Sequence, residues 1–251
     1  MLKVEQVSVV FGGLLALDRV DLDVEAGRIT GLIGPNGAGK TTLFNVVCGL
    51  QPTTTGRVWL DGVDITRAKP HRRARRGLAR TFQRLEVFGS LTVRENLLVA
   101  AEIKQGWTRD SSDPRTVAER LLERVGLQDV ADRGVDTLPT GLARLVELAR
   151  ALASGPRVLL LDEPSSGLSD GETGSLGDLL VDLAAEGLGV LLVEHDMGLV
   201  MRVCERIHVL DFGQVIAVGT PAEVRSDPDV QAAYLGAGAT ADRAPEPDVV
   251  G

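Results

Sequence analysis

The sequence has little cysteine, only two in 251 residues. Cys48 and Cys204 both fall among apolar neighbours in segments that read as helices, so they are expected to be small core residues in a reducing compartment. That reading is preferred to a disulfide or a cysteine metal site. Long apolar runs are missing too: the best, Val158–Leu161 and Val190–Val193, fall far short of the ~18 residues a membrane span needs. No basic-then-apolar leader opens the chain, so export is not expected and a cytoplasmic location is. Positive charge is in deficit, 27 Lys and Arg against 35 Asp and Glu, and the net charge of −8 argues against non-specific nucleic-acid binding by the whole domain. Internal repeats are absent. The content of 44% hydrophobic and 25% charged residues is ordinary for a globular chain, and the length suits one large domain or a core with an insert.

Among what is present, one stretch organises the rest. Gly34-Pro35-Asn36-Gly37-Ala38-Gly39-Lys40-Thr41 matches the phosphate-binding pattern G-x-x-x-x-G-K-[ST] at every fixed position. Arg28–Ile33 before it reads as a short buried strand, and Thr42–Leu50 after it as a helix carrying Leu43, Phe44, Val46, Val47 and Leu50. Strand, glycine loop and helix together are the context the pattern requires. Glycines reach backbone angles closed to other residues, so the loop can turn its N–H groups inward, and the helix adds its unpaired N–H groups and dipole. Lys40 brings a mobile charge for the β- and γ-phosphates, and the Thr41 hydroxyl a ligand for Mg²⁺. The stretch is read as a nucleoside triphosphate site. A guanine reader of the N-K-x-D type is lacking.

Around this loop the periodicities outline an α/β protein. Lys3–Phe11 and Ala16–Val24 alternate as antiparallel strands, and Arg57–Leu60 is a strand closed by Asp61-Gly62. A basic run, Arg67–Arg76, reads as a solvated amphipathic helix in preference to a nucleic-acid or anionic-lipid patch. Residues 88–153 differ in character and read as an all-helical insert. Thr92 and Glu95 frame a capping box, a polar loop covers 104–114, and helices are expected at Arg115–Val125 and Gly141–Ala153. The α/β pattern resumes with strand Val158–Asp162, helix Glu172–Ala185, strand Gly189–Glu194 and helix Met197–Cys204. A hairpin about Asp211-Phe212-Gly213 follows, then a short helix from Pro221 and another at Asp229–Leu235. Residues 237–251, rich in Gly, Ala, Asp and Pro, are expected to be a disordered tail.

The chemistry needs carboxylates near the phosphates. Val158-Leu159-Leu160-Leu161-Asp162-Glu163 is an apolar strand ending in two acids, which places Asp162 where Mg²⁺ needs a ligand and Glu163 where a water can be oriented or deprotonated. Gln83 and His195 end other strands, and such groups can reach a γ-phosphate or a metal-bound water. Alone, each is more often an ordinary surface or core residue. His71 and His208 receive no role.

In this order, the phosphate loop, Gln83, the helical insert, Asp162-Glu163-Pro164 and His195 resemble the ABC-type ATPase domain over nearly the whole chain, to about Leu235. The resemblance implies a P-loop NTPase core with a mostly parallel, RecA-like sheet, an N-terminal antiparallel β subdomain and the helical insert, together spanning residues 1–236. It implies ATP and Mg²⁺ as cofactors, with Phe11 stacking on adenine and Gly34, Pro35, Asn36, Gly37, Ala38, Gly39, Lys40, Thr41 and Thr42 holding the phosphates. Thr41, Gln83 and Asp162 would serve the metal, and Glu163, His195 and Gln83 the reaction. Phe11-Gly12-Gly13-Leu14-Leu15-Ala16-Leu17, Ala79-Arg80-Thr81-Phe82-Gln83, Leu91–Asn96, Val193–Met197, Gly219–Val224 and Ala233–Gly236 are similar to the ATP-binding subunits of branched-chain amino acid importers. Urea and lipopolysaccharide transport ATPases are near relatives of that group. The partners implied are transmembrane permease subunits, a second ATPase subunit in a heterodimer or homodimer, and indirectly an extracytoplasmic solute-binding protein. Nucleic acid is not among them, and the place implied is the cytoplasmic face of the membrane. A regulatory subunit that binds ATP and barely hydrolyses it is the alternative role.

The sequence departs from the family in one segment above all. The signature L-S-G-G-Q reads here Leu138-Pro139-Thr140-Gly141-Leu142, and in the family it faces the ATP held by the second subunit. Gly141 and a helix N-terminus are kept, but Pro139 offers neither hydroxyl nor N–H. The lost hydrogen bond to phosphate should cost ~1.5–3 kcal/mol unless Thr140 substitutes, or nothing if Pro139 simply occupies the first position of its helix. Ser169 stands where an acidic or amide residue is usual.

Overall fold

The computed structural model describes residues 1–108 and 112–241, with side chains as far as 234. Strands β1 (Leu2–Phe11), β2 (Leu14–Val24), β4 (Thr55–Leu60) and β5 (Val63–Asp64) form an antiparallel sheet in the order β2-β1-β4-β5. A second sheet runs β10-β9-β3-β8-β7-β6, from β3 (Ile29–Ile33), β6 (Leu78–Arg80), β7 (Val158–Asp162), β8 (Gly189–Val193), β9 (Arg206–Asp211) and β10 (Gln214–Gly219). Its pairings are parallel except for the edge hairpin β9–β10.

Every residue of β3, β7 and β8 is buried, which is why these strands read as unbroken apolar runs. Successive side chains serve opposite faces. Leu159, Leu161, Val190 and Leu192 enter one core, and Val158, Leu160, Leu191 and Val193 enter another. The second core also holds the apolar side of the antiparallel sheet and Leu43, Phe44, Val46 and Val47 of α1 (Lys40–Cys48). By the period of two, Asp162 falls on the same face as Val158 and Leu160, the face covered by α1. One carboxylate is thus aimed toward the phosphate loop.

The insert consists of α3 (Val93–Trp107), α4 (Pro114–Arg124) and α5 (Thr140–Ala153), packed on one another and on the first core. Thr92 and Glu95 close the capping box expected for α3. The expected loop from 104 is corrected: α3 runs on to Trp107, whose ring lies 5.8 Å from the Arg75 guanidinium. The basic run forms only the short α2 (Pro70–Ala74), and it is not wholly solvated. Arg73 is buried and donates to the carbonyls of Val46, Val47, Thr66 and Ala68, capping the C-terminal end of α1. Beyond β7 come α6 (Asp170–Ala185), α7 (Met197–Val203) and α8 (Pro221–Ser226). The last helix, α9 (Pro228–Ala241), continues past Gly236, where the composition predicted an end to regular structure. Positions 242–251 of the expected tail lie outside the described residues. Cys48 and Cys204 are both free thiols.

Candidate functional site

The phosphate loop joins β3 to α1, and two of its glycines are there for space as well as for angle. Gly34 has φ +150° and Gly39 φ +109°; a Cβ on the first would strike the Leu210 carbonyl, and on the second would lie 2.9 Å from the Ala16 carbonyl. Gly37, at φ +81°, has open space around it, so its requirement is conformational alone. The loop is tied to the β9–β10 turn by Gly213 N–H donating to the Ala38 carbonyl, 2.9 Å. Lys40 is buried, with Nζ donating to the carbonyls of Gly34 (2.7 Å) and Pro35 (2.9 Å). Burial lowers its pKa, against the opposing carboxylates of Glu163 and Asp162.

A cleft of about 180 Å³ opens on this loop, lined by residues 36–42 and by Gln83, Asp162, Glu163, Val193 and His195. Residues from four places in the chain are therefore brought to one point. Glu163 is held at φ +52°, an unusual angle for a side-chain-bearing residue, with its N–H donating to the Val193 carbonyl. Its Oε1 lies 3.3 Å from Gln83 Nε2, which donates to it, and 3.1 Å from His195 Nε2. Gln83 itself stands beyond the end of β6, which stops at Arg80. Asp162 is buried, and one oxygen, Oδ2, accepts from Arg80 at 3.1 Å. Burial raises the Asp162 pKa and outweighs the guanidinium that opposes it.

Three supporting residues escaped the sequence reading. Arg80 lies between the rings of Phe44 (5.4 Å) and Phe82 (4.6 Å), and donates to Asn45 Oδ1 as well as to Asp162. Thr81 Oγ1 accepts the Asp162 N–H. Glu194 is buried and accepts the N–H groups of Ser165 and His195, so one carboxylate fixes the loops carrying both Glu163 and His195. Arg80 and Thr81 in Ala79–Gln83, and Glu194 in Val193–Met197, stand in segments that resemble the family, but no local pattern assigned them these contacts.

The remaining candidates lie outside this cleft. Phe11 ends β1 at the Gly12-Gly13 turn, half exposed. Leu138 to Leu142 stand at the start of α5. Pro139 precedes the helix at its cap position, with Thr140 first in the helix, which corrects the expectation that the proline occupies that first position. Gly141 is buried against Gly167 and Leu168, where a Cβ would lie 2.8 Å from the Gly167 carbonyl. Ser169 proves to be the N-cap of α6, in a full capping box with Glu172.

Among the described residues no cluster of three or more His, Cys, Asp or Glu could hold a metal ion, so the cleft is no all-protein metal cage. The Thr41 hydroxyl, the Gln83 amide oxygen and the Asp162 carboxylate, all in the lining, are hard donors too few to satisfy a divalent ion by themselves. That set suits Mg²⁺, which keeps waters and takes substrate phosphates alongside one or two protein ligands.

The fold, a P-loop core with an antiparallel β subdomain and a helical insert, is that of an ATP-binding cassette. The family model "ABC transporter" matches residues 17–166, and the chain belongs to that family, whose cassettes are ATPases coupled to transport. A second model, "Branched-chain amino acid ATP-binding cassette transporter", matches residues 214–240. The chain is 41% identical over 249 residues to the high-affinity branched-chain amino acid transport ATP-binding protein BraF of Pseudomonas aeruginosa, covering 94% of this chain and 98% of that one. It is 40% identical over 217 residues to the lipopolysaccharide export system ATP-binding protein LptB of Haemophilus influenzae, covering 86% and 89%. A solved ATP-binding cassette of an ABC transporter superposes with a TM-score of 0.84 at 34% identity, covering 93% of this chain and 98% of that chain. Cassettes of this family dimerise and work with transmembrane permease components. Among the described residues of this chain, no helix is long and apolar enough to cross a membrane.

Proposed function

We propose that the chain is the ATP-hydrolysing subunit of an importer for branched-chain or related amino acids, held against permease subunits at the cytoplasmic face of the membrane. One observation carries the reading: Glu163 Oε1 lies between Gln83 Nε2 and His195 Nε2 in the cleft that Lys40 and Thr41 line. The match of residues 214–240 to the branched-chain model, and the name of the BraF relative, support the solute class over lipopolysaccharide export.

In this reading residues 34–42 cradle the triphosphate through backbone N–H groups and the start of α1, while Lys40 Nζ exchanges loop carbonyls for the β- and γ-phosphate oxygens. Phe11 covers the adenine ring. Bound Mg²⁺ would neutralise charge on those oxygens, held by Thr41, Asp162 and Gln83. Arg80 fixes the Asp162 carboxylate through Oδ2 and leaves Oδ1 to face the site. Glu163 takes the proton of the attacking water as the γ-phosphorus bonds to that water's oxygen and the bond to the β,γ-bridging oxygen breaks. His195 and Gln83 hold the Glu163 carboxylate and the water in line. The segment Leu138–Leu142 faces the nucleotide of a second ATPase subunit, so its Pro139 weakens the partner's site and spares the one built on this chain's own loop. The permease docks on 85–91, where Phe88 is exposed and Val87 is half-buried against the helical core.

The test is ATP turnover of the assembled transporter. Glu163→Gln is expected to lower turnover by ~10²-fold or more while ATP binding persists, and Pro139→Ser to leave turnover unchanged or raise it. Turnover of Glu163→Gln within about twofold of the unmodified protein would remove Glu163 from the reaction.

A further inference from the structure

A cleft of about 1010 Å³ opens on the surface between α2, the β4–β5 hairpin and the stretch that joins α1 to β4. It lies apart from the nucleotide cleft and shares no lining residue with it. Five cations with exposed side chains line it, Arg57, Arg67, Lys69, Arg72 and Arg76, against one carboxylate, Asp64. Asp64 is already engaged, accepting the Thr66 N–H at 2.8 Å. The sixth cation in the wall, Arg73, is consumed by four backbone carbonyls, those of Val46 and Val47 at the end of α1 and those of Thr66 and Ala68, and is unavailable.

This concentration of charge runs against the rest of the molecule. The chain carries −8 overall, and elsewhere several arginines pair with acids, Arg28 with Glu25, Arg94 with Asp132, Arg124 with Glu186 and Arg157 with Asp61. None of the five cleft cations makes an ion pair among the described residues; Arg57 alone has a ring contact, 5.8 Å from Trp59. Five like charges gathered about the one carboxylate of Asp64 leave a net positive cleft, so a site of this kind is a fit for an anion from outside.

The shape and lining narrow the anion. Apart from its charges the wall is Gly, Ala, Pro, Thr and Gln, with no large apolar side chain to anchor a protein and no aromatic side chain to stack a base. Position narrows it further. Pro70 and Arg73 also line a groove that runs between β6 and the helical insert past Glu86, Ala100 and Arg150, beside the stretch proposed to dock the permease. The cleft therefore opens on the side turned toward permease and membrane, a placement that rests on the reading given under the proposed function. Over a Debye length of ~10 Å the local cluster outweighs the distant net charge.

We propose that this cleft binds the phosphate headgroups of anionic lipids in the cytoplasmic leaflet, giving the subunit its own hold on the membrane beside the permease. Juxtamembrane cations of this kind act additively and are screened by salt. Binding is therefore confined to anionic bilayers and is lost at high ionic strength.

The test is flotation of the purified full chain with vesicles of phosphatidylcholine alone or with phosphatidylglycerol added, at low and high salt. The triple variant Arg67→Glu/Lys69→Glu/Arg72→Glu changes exposed positions only, and its melting temperature and ATP binding are measured in parallel. Expected is flotation with the anionic vesicles at low salt, reduced at least about tenfold in the triple variant and unaffected by Arg225→Glu on the far helix α8. The inference is overturned by equal flotation of parent and triple variant, by absence of flotation with anionic vesicles, or by displacement from them at millimolar inorganic phosphate, which would make a free anion the ligand. Tighter binding to an oligonucleotide than to the vesicles would also overturn it. A chain that binds ATP and ignores anionic vesicles loses this inference and keeps the proposed function; one that binds vesicles and ignores ATP does the reverse.

Discussion

His208 is buried in β9, with both ring nitrogens lacking a hydrogen-bond partner among the described residues. Burial pushes its pKa from 6.5 down to about 4. Between those values the unfolded chain binds a proton that the folded chain refuses, so stability falls as pH drops from 6.5 toward 4 and is unaffected above. At full extent the shift corresponds to about 3 kcal/mol. Replacing His208 by Leu should flatten that part of the profile. Urea unfolding at pH 7.5 and 4.5 should find the variant gaining about 2–3 kcal/mol on the parent at the lower pH; parallel profiles would assign the acid sensitivity to other groups. The residue also marks a limit of sequence reading. Nothing in Arg206–Asp211 says which residues of the strand face the interior until β3 and β10 are laid on either side of it. Arg73 and Arg80 were hidden for a related reason. A buried arginine is legible only from the groups that receive it, and of these the Val47 carbonyl lies 26 residues from Arg73 and the Asp162 carboxylate 82 residues from Arg80.

At the scale of elements, the stretches with local signals were legible and those depending on distant partners were not. β7 spans Val158–Asp162 as its apolar run predicts, and the Thr92/Glu95 box starts α3. The end of α3 was misjudged because Lys104, Gln105 and Gly106 look like loop, whereas the helix is carried to Trp107. Ser169 shows a signal overlooked: Ser169-Asp170-Gly171-Glu172 has the capping-box spacing, and the serine Oγ accepts the Glu172 N–H while the Glu172 carboxylate accepts the Ser169 N–H. An unusual residue at a family position is here the cap of α6. Ser169→Ala should cost about 1 kcal/mol, whereas Ser169→Asp, an equally good cap, should cost nothing measurable. In a chain of this size that is a drop of about 2–4 °C in melting temperature for the alanine variant. Equal melting of both variants would deny the box a role in stability.

For the molecule as a whole, the two cores explain why the site forms where it does. Strands β7 and β8 feed alternate side chains to each core, so their C-terminal ends stand fixed between the core that holds α1 and the core that holds α6. The phosphate loop, Asp162 and Glu163 meet there, and this meeting was legible from the sequence because a glycine loop and a strand-end acid pair each carry a local pattern. The contacts of Glu163 to Gln83 and His195 were foreseen only as placements at strand ends, and of the basic cleft only the run Arg67–Arg76 was legible, read as a solvated helix, because the walls that Arg57 and residues 49–56 add are set by the fold. The central claim is that the cleft over residues 36–42 holds a magnesium-bound triphosphate. Calorimetric titration of the purified chain with ATP in excess Mg²⁺ tests it most directly, alongside Lys40→Met with its melting temperature checked. The account predicts saturable binding that weakens at least about tenfold in the variant, as expected for loss of a charged contact to phosphate. Absence of saturable binding, or equal affinity in a folded Lys40→Met, would contradict it.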